Sequence, residues 1–366
     1  MKENRLIDIF LQLLKIEALS QQEKPVADHI HAFLTALNLK PHFDKSNMQT
    51  QSNTGNLLCQ VGSGGDVMLL AHMDTARSTK EVKPQILADR ITSDGTSVLG
   101  VDNRAGSAII LYALEKALLG KNALKDFTIA FTTCEESTLA GSLNLEIAEQ
   151  IKKCFIFDSS CRPGAFIYSS CGAKNFNVTI KGLAAHSGLA PEKGINSIAI
   201  TAQALSQIKQ GRIGAKTTVN IGTISGGSAI NVVPETTQLT GEVRSAEMGM
   251  VDEVIQVIKT IFLKETATQG AGLVFKDNWD FKPYNIPPET EIYRDILKVM
   301  KKVGLRPEPV ASLAGSDANS LNGRGIQAIN LGIGAQNPHG NDEFILLADL
   351  DKSSEIALEL MKKEQS

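Results

Sequence analysis

Hydrophobic and polar positions follow two periods along the chain, one helical and one typical of strands. Apolar residues recur every three or four positions at 6–14 and at 26–37, which predicts two amphipathic helices at the start. Short apolar runs and longer amphipathic stretches then follow one another. The predicted order is strand 56–61, strand 67–71, helix 105–119, strand 127–133, helix 139–149 and strand 154–157. Such alternation predicts an α/β sheet covered by helices.

The pattern changes in the middle of the chain. A strand at 176–180, a helix at 195–207, strands at 219–224 and 238–243 and a helix at 250–264 follow one another there. This order is typical of a small α+β sandwich. We therefore predict a catalytic domain formed by 1–172 and 270–366, with an inserted second domain at 173–269. The length of 366 residues also favours two domains.

Composition and charge narrow the possible functions. The formal net charge of −3 offers no broad basic surface to nucleic acid or to an anionic membrane. Polar residues interrupt every apolar run of the first 20 residues, so we expect neither a signal peptide nor a membrane span. The five cysteines form no CxxC pair, which is typical of free thiols in a reducing compartment. We therefore place the protein in the cytoplasm.

A histidine and a carboxylate follow the apolar run at 67–71. Open α/β sheets bind ligands at the carboxyl ends of their strands, which is where His72 and Asp74 are expected. A metal-bound imidazole usually donates its other ring proton to a carboxylate or carbonyl, and Asp74 is near enough in sequence for that role. Taken alone, a histidine at a strand end is more often a hydrogen-bonded structural residue.

Asp102 stands between Gly100 and the predicted helix at 105–119. Aspartate is a favoured N-cap and stabilises a helix by about 1 kcal/mol, which is the simplest interpretation of this position. A carboxylate held at a helix start can also present its oxygens to a metal ion. The two interpretations are compatible.

Two adjacent glutamates, Glu135 and Glu136, directly follow the very apolar strand at 127–133. Acidic residues in such a place are common in the first turn of a helix, where they complement its dipole. Adjacent side chains point in different directions, so one glutamate could bind a metal while the other accepts a proton from water.

Asp158 ends the strand at 154–157, and His339 lies in a turn-rich loop. Singly, Asp158 could be a cap and His339 a surface histidine. Together with the three motifs above they form a set of His, Asp, Glu, Asp and His at what would be one edge of one sheet. Mixed nitrogen and oxygen ligands of this kind suit Zn, Co or Mn.

These motifs resemble the peptidase T-like branch of the dinuclear zinc peptidase family, which also contains aminoacylases, glutamate carboxypeptidase and succinyl-diaminopimelate desuccinylase. The resemblance covers nearly the whole chain, and 83–100 is similar to the tripeptidase branch in particular. It implies a mixed-sheet, zinc exopeptidase-like catalytic domain with an inserted α+β, ferredoxin-like lid or dimerisation domain. A homodimer through that domain is therefore expected.

The resemblance also implies two divalent ions per chain, most simply zinc, with cobalt or manganese as alternatives. In it Asp102 bridges the ions, Asp74 orients a ligand, and Glu135 is general base and then general acid. The remaining ligands are His72 and Asp158 on one ion, and Glu136 and His339 on the other.

Residues of the inserted domain complete the implied site. His186 is similar to the family histidine that stabilises the developing oxyanion, often in a neighbouring subunit's site; alternatively it caps a turn beside Gly188. Asn231 and Arg244 match positions that hold the substrate's carboxylate or carbonyl. Gly315 resembles a glycine that approaches the substrate backbone, although it could simply serve a turn.

The implied function is hydrolysis of the N-terminal peptide bond of short peptides, as in a tripeptide aminopeptidase. Hydrolysis of N-acyl amino acids or related amides is the alternative, because the pocket and not the metal shell selects the substrate. An inactive binding or scaffold relative is a remote alternative, since none of the ligand or base positions is lost. Without a GxSxG elbow, the sequence gives little support to a nucleophilic serine.

Overall fold

The structure, a computed structural model, describes residues 4–120 and 123–363. Within them the chain forms two compact units. The first comprises the chain up to Ser169, Asn285–Ala311 and the chain from Ser316 onward, and the second comprises Ser170–Tyr284 and Ser312–Gly315. Each unit has its own helices; the second contains one sheet, and the first contains a large sheet and a small three-stranded one.

Helices and strands alternate along most of the chain. The amino-terminal part contains α1 (Arg5–Leu14), α2 (Lys24–Ala36), β1 (His42–Phe43), α3 (Asn47–Thr50), β2 (Leu57–Val61), β3 (Val67–His72), β4 (Gln85–Ile86), β5 (Arg90–Thr92), α4 (Val101–Leu119), β6 (Phe127–Thr132), α5 (Glu135–Thr138), α6 (Ala140–Leu143), β7 (Lys153–Ser159) and β8 (Ala165–Ser170). The middle part contains β9 (Gly172–Lys181), a 3-10 helix (Pro191–Lys193), α7 (Ser197–Leu205), β10 (Gly211–Gly214), β11 (Thr217–Gly226), β12 (Thr236–Ser245), α8 (Met248–Thr268) and β13 (Gly272–Phe281). The carboxyl-terminal part contains β14 (Tyr284–Asn285), α9 (Glu291–Lys302), β15 (Glu308–Ser312), α10 (Asp317–Gly323), β16 (Gln327–Gly332), β17 (Phe344–Leu346) and α11 (Leu347–Met361).

A mixed sheet forms the core of the first unit. Its strands lie in the order β1-β2-β6-β3-β7-β16-β8, and the four central strands, β6, β3, β7 and β16, run parallel. The flanking strands β2 and β8 are antiparallel to their neighbours. Every residue of β3 and β6 is buried, as expected for strands covered on both faces. The predicted α/β fold with a mixed sheet is confirmed.

Helix α4 packs closely against this sheet and contacts both β3 and β7. Gly106 permits the close approach, because a Cβ at this position would collide with the carbonyl oxygen of Phe157. The helix begins after Gly100, whose φ of 83° is left-handed and favours glycine. This packing brings Asp102, at the start of α4, to the carboxyl ends of the parallel strands.

The second unit is an antiparallel sheet, β10-β11-β12-β9-β13, with two helices. Its core includes Phe176, Val178 and Ile180 of β9, packed with Ile200 of α7 and Ile255 of α8. Apart from the edge strand β10, the chain order is strand, helix, two strands, helix and strand, which is ferredoxin-like. The predicted α+β insertion is confirmed.

This unit extends beyond the predicted boundary at residue 269. Strand β13 pairs with β9 along its length, from Gly272 opposite Lys181 to Phe281 opposite Ala173. Its residues alternate between exposed and half-buried, a strand pattern that the prediction left in the catalytic domain. Because of this pairing, the main segment of the second unit ends at Tyr284.

The predicted helix at 139–149 is replaced by two short turns of helix, α5 and α6, followed by an irregular segment. Leu139 has a left-handed φ of 55°, which interrupts the helical path. Beyond α6 the backbone N–H of Glu146 donates to Asp44, and Leu145 and Ile151 are buried as anchors. Tertiary contacts therefore override the helical pattern of this stretch.

Membrane insertion through a helix finds no support in the fold. Across residues 4–120 and 123–363, no helix combines the length and the apolar character that crossing a bilayer requires.

Candidate metal centre

His72 ends β3 with its imidazole almost fully buried, the side chain being 2% exposed. Its Nδ1 lies 3.2 Å from the carbonyl oxygen of Asp74 and 3.3 Å from the Oδ1 atom of the same residue. Its Nε2 lies 3.0 Å from Asp102 Oδ1 and 3.2 Å from Asp158 Oδ1. One ring nitrogen is therefore held by Asp74, and the other points into a group of carboxylates, which is the arrangement of a metal-binding histidine.

Asp102 lies between two histidines. Its Oδ1 faces His72, and its Oδ2 lies 3.5 Å from the Nε2 atom of His339. The carboxylate can therefore serve two ligand groups at once, one through each oxygen. Burial alone would raise the pKa of Asp102, but both histidines lower it, so this group is held in its charged form.

Glu136 and His339 form the second group. The His339 Nε2 atom lies 3.0 Å from Glu136 Oε2 and 3.1 Å from its Oε1, and that Oε1 also accepts the backbone N–H of Ala76. Hydrogen bonds to Asp102 and Glu136 raise the pKa of His339 to about 10. The same negative field that favours an imidazolium favours a divalent cation.

The five predicted ligands lie together as two overlapping groups. In each group the candidate ligand atoms are within 4.8 Å of one another, and Asp102 belongs to both. In the described part of the chain, the ion-pair partners of Asp102, Asp158 and Glu136 are imidazoles rather than lysine or arginine side chains. Buried carboxylates need a counter-charge, so this donor set fits two divalent cations, each with one nitrogen and several oxygens.

Glu135 lies beside the first group. Its Oε2 is 3.9 Å from His72 Nε2, and its side chain is 11% exposed. Burial, followed by the neighbouring charge of Asp158, raises the pKa of Glu135 well above its usual range, against the opposing charge of His72. Asp74 accepts the backbone N–H groups of both Glu135 and Glu136 at 3.1 Å, so it orients the glutamates as well as His72.

Several residues that the motifs did not predict support this centre. Glu343 accepts the backbone N–H groups of Gly100 at 2.6 Å and Asp102 at 3.0 Å, and burial raises its pKa to about 7. Asn330 donates from Nδ2 to Asp158 Oδ2 at 2.9 Å, and Ser20 donates to Asp74 at 2.6 Å. Glu343 had a local signal, because it lies four residues after His339, whereas Asn330 and Ser20 had none.

His186 and Asn231 lie side by side in the second unit. His186 bridges to Val232, and Ser187 N–H donates to the carbonyl oxygen of Asn231 at 3.0 Å. The His186 Nδ1 atom accepts N–H bonds from Gly188 at 3.2 Å and from residue 189 at 3.3 Å. A ring nitrogen that accepts is unprotonated, so the proton of a neutral His186 lies on Nε2, which can donate. The turn-capping and oxyanion-donor interpretations are therefore compatible.

Arg244 and Gly315 have partners within the same unit. Arg244 forms a bidentate pair with Glu242, both bonds being 3.0 Å long, and lies over the Phe281 ring. A substrate carboxylate would therefore compete with Glu242 for this guanidinium. The Phe281 ring also fills the space that a Cβ of Gly315 would need, which gives that glycine a packing role.

Comparisons with known proteins match the inserted domain separately and the chain as a whole. Residues 168–269 match the family model described as Peptidase dimerisation domain. The chain is 28% identical to the uncharacterized protein YqjE of Bacillus subtilis, with 99% of this chain and 98% of YqjE covered. It is 27% identical to Peptidase T of Clostridium novyi, with 85% of this chain and 84% of that protein covered.

A solved structure is similar to this chain over nearly the full length of both proteins. A tripeptidase from Staphylococcus aureus superposes with a TM-score of 0.92 at 26% identity, and the match covers 98% of this chain and 97% of that one. The motifs, the inserted domain and these likenesses agree: the chain is similar to peptidase T proteins over most of its length, and its middle part matches the peptidase dimerisation domain.

Proposed function

We propose that the chain is a dinuclear metal-dependent aminopeptidase that hydrolyses the N-terminal peptide bond of short peptides, tripeptides in particular. The observation that carries the proposal is the position of Asp102, whose two oxygens face His72 and His339 in separate ligand groups. When bound, two divalent ions there would polarise a scissile carbonyl and lower the pKa of water towards about 7. His72, Asp158 and Asp102 would hold one ion, and Asp102, Glu136 and His339 the other.

Glu135 is the proposed general base and then general acid. Its carboxylate is next to the ligand groups and contributes to neither of them. It would accept a proton from the attacking water and return it to the leaving amine. Asp74 would keep the base in place through the Glu135 N–H.

Second-unit residues are proposed to bind the reacting peptide. His186 would donate from Nε2 to the oxyanion, where a preorganised donor gives a large electrostatic gain. Asn231 would bind a substrate carbonyl, and Arg244 a carboxylate in exchange for Glu242. Gly315 would let the substrate backbone approach. Since family members often share the histidine between subunits, we also propose a homodimer through the inserted domain, which the match to the dimerisation domain supports.

Peptides are favoured over N-acyl amino acids because the matches cover 84% of the relative named Peptidase T and 97% of the one named tripeptidase. Zinc is the proposed metal, with cobalt or manganese as alternatives, because one imidazole and several carboxylates surround each position. The cytoplasm is the proposed location, since Cys59, Cys134, Cys154, Cys161 and Cys171 are all free thiols.

Metal content and hydrolysis, measured together, test the proposal. Purified protein should contain two ions per chain, cleave tripeptides, lose activity to a chelator and regain it with Zn, Co or Mn. Glu135→Ala should retain both ions and lose about 100- to 10,000-fold in kcat. Glu149→Ala, which removes an exposed carboxylate of the same region, is the matched control and should be as active as the wild type.

Three other results would change the conclusion. Turnover of N-acyl amino acids without turnover of tripeptides would support the alternative amide hydrolase. Two bound ions without any turnover would favour an inactive relative. Protein that binds no metal under any of these conditions would refute the dinuclear mechanism.

A further inference from the structure

The loop after β6, residues 133–136, carries both the proposed base and a metal ligand, and buried side chains hold its backbone. Four successive N–H groups each donate to a side-chain oxygen. Thr133 N–H donates to Asn56 at 3.0 Å, Cys134 N–H to Glu23 at 2.9 Å, and the next two N–H groups to Asp74. Cys134 has a left-handed φ of 53°, which is uncommon for a residue with a side chain.

Glu23 is fully buried and directed towards this loop. Its Oε1 accepts from the N–H groups of Cys134 and Gln21, both at 2.9 Å, and its Oε2 accepts from the Ser52 hydroxyl. Although Glu23 precedes α2 at its N-cap position, its side chain makes no capping bond to that helix. Stabilisation of α2 by a conventional cap therefore does not explain a carboxylate at this position.

A buried cation accompanies this carboxylate. Arg104 is fully buried and donates to the carbonyl oxygens of Met73 and Ile16. Burial lowers its pKa to about 10, and the charges of Asp74 and Glu23 act in the opposite direction. The two carboxylates that hold the loop therefore share one buried guanidinium, which offsets part of the cost of burying their charges.

We propose that Glu23 is a positioning residue for the catalytic loop. Through the Cys134 N–H it fixes the left-handed turn from which Glu135 and Glu136 diverge, and it contacts neither substrate nor metal. A displacement of about 1 Å at a reacting group can cost about 100-fold in rate. A residue that fixes the backbone next to two such groups should therefore affect the rate strongly. The kinetic part of this proposal rests on the proposed function, and the structural part stands without it.

Two substitutions separate the hydrogen bond from the charge. Glu23→Gln keeps an oxygen for the Cys134 N–H and gains an amide that can donate to Ser52, whereas Glu23→Ala removes both acceptors. Leu34→Ala is the matched control, because Leu34 is fully buried on α2 and belongs to the helix core. Its expected loss of melting temperature shows what destabilisation alone does to activity.

Amide hydrogen exchange of residues 133–136 in metal-free protein is the readout that needs no enzyme activity. Glu23→Ala should lose protection there, bind zinc about 10- to 100-fold more weakly in a chelator competition and lose a similar factor in kcat. Glu23→Gln should stay within about threefold of the wild type, since it retains the hydrogen bond. Leu34→Ala should keep the loop protection and the zinc affinity of the wild type, although its melting temperature is comparable to that of Glu23→Ala.

The opposite pattern would overturn the proposal. If Glu23→Ala matched Leu34→Ala in loop exchange and zinc affinity, Glu23 would serve the fold alone. If Glu23→Ala does not fold, Glu23→Asp carries the same expectation, because it keeps the charge and withdraws the oxygens from Cys134. Wild-type protein that cleaves no peptide would refute the proposed function, while the exchange and zinc measurements would still decide the role of Glu23.

Discussion

The two ligand groups share Asp102 but differ in how firmly the protein holds them. In the first group the His72 side chain is 2% exposed, and Asp158 is held by Asn330. In the second group the His339 side chain is 50% exposed and comes from a loop, where its own φ is 65°. The first group is therefore preorganised on two parallel strands, and the second is completed by a residue that solvent reaches.

This difference predicts unequal affinities. A ligand set that is already in place loses little conformational entropy when an ion binds, whereas a loop residue must be ordered. Water can also replace an exposed ligand more readily than a buried one. We therefore expect the first position to bind its ion more tightly and to release it last during chelation.

Asp102→Ala removes the ligand common to both groups and should have the largest effect. Structural zinc sites of about four ligands gain roughly 10 to 16 kcal/mol, so one lost ligand corresponds to roughly 100- to 1,000-fold in affinity, here at both positions. Zinc content after dialysis should fall from two ions to fewer than one per chain. Retention of both ions at wild-type affinity would show that Asp102 does not bridge them.

Replacing the two histidines separately tests the asymmetry. His72→Ala should weaken the first position by about 100-fold and also lower the melting temperature, because it leaves a cavity at a buried strand end. His339→Ala should empty the second position, spare the first and leave the melting temperature of the metal-free protein nearly unchanged. Metal analysis and thermal unfolding of the two variants would contradict the asymmetry if they gave the same result.

The sequence predicted the elements and the ligand motifs because both are local features. An apolar run that ends in His72 or Asp158 marks a strand and a residue at its carboxyl end, and parallel strands bring such ends together. The structure does bring the five predicted ligands into one cluster. Their roles as ligands stay predictions until metal is measured.

The supporting residues could not be predicted in this way. Asn330 meets Asp158, Glu23 meets Cys134 and Ser20 meets Asp74 only after distant parts of the chain pack together. Each is an ordinary polar residue in an ordinary local context. The same limitation explains the helix predicted at 139–149, where a left-handed residue and buried anchors replaced a helical pattern.

Asp317 offers a smaller test on the buried side of the centre. Burial raises its pKa to about 6, against hydrogen bonds from Ser142 and Thr132 that would lower it. The folded state therefore holds a proton that the unfolded state has released, so the stabilising contribution is complete below about pH 4 and is lost as the pH rises through about 6. Wild type should lose on the order of 2 kcal/mol more than Asp317→Asn between pH 4 and pH 7.

Urea unfolding of both metal-free proteins at several pH values measures this difference. Because the Asp317→Asn variant carries no titrating group at this position, the difference between the two curves reports Asp317 together with the effect of its charge on Glu135. Unfolding free energies that run parallel from pH 4 to pH 7 would show that Asp317 titrates normally.

The smallest expected effects come from the side chains that hold each group in place. Asn330→Ala frees Asp158 and should weaken the first position by about 10-fold, towards the lower end of what such partners of metal ligands contribute. Arg77 is the counterpart at the second position, where it donates to the carbonyl oxygen of His339 at 3.0 Å and to Asn341 at 2.9 Å. Since Arg77 is exposed, Arg77→Ala should change zinc affinity by less than about threefold. Zinc competition on both variants measures the two effects. A larger effect of Arg77→Ala would contradict the expected difference between the two positions, because the loop and not the strands would then be the more firmly organised part of the site.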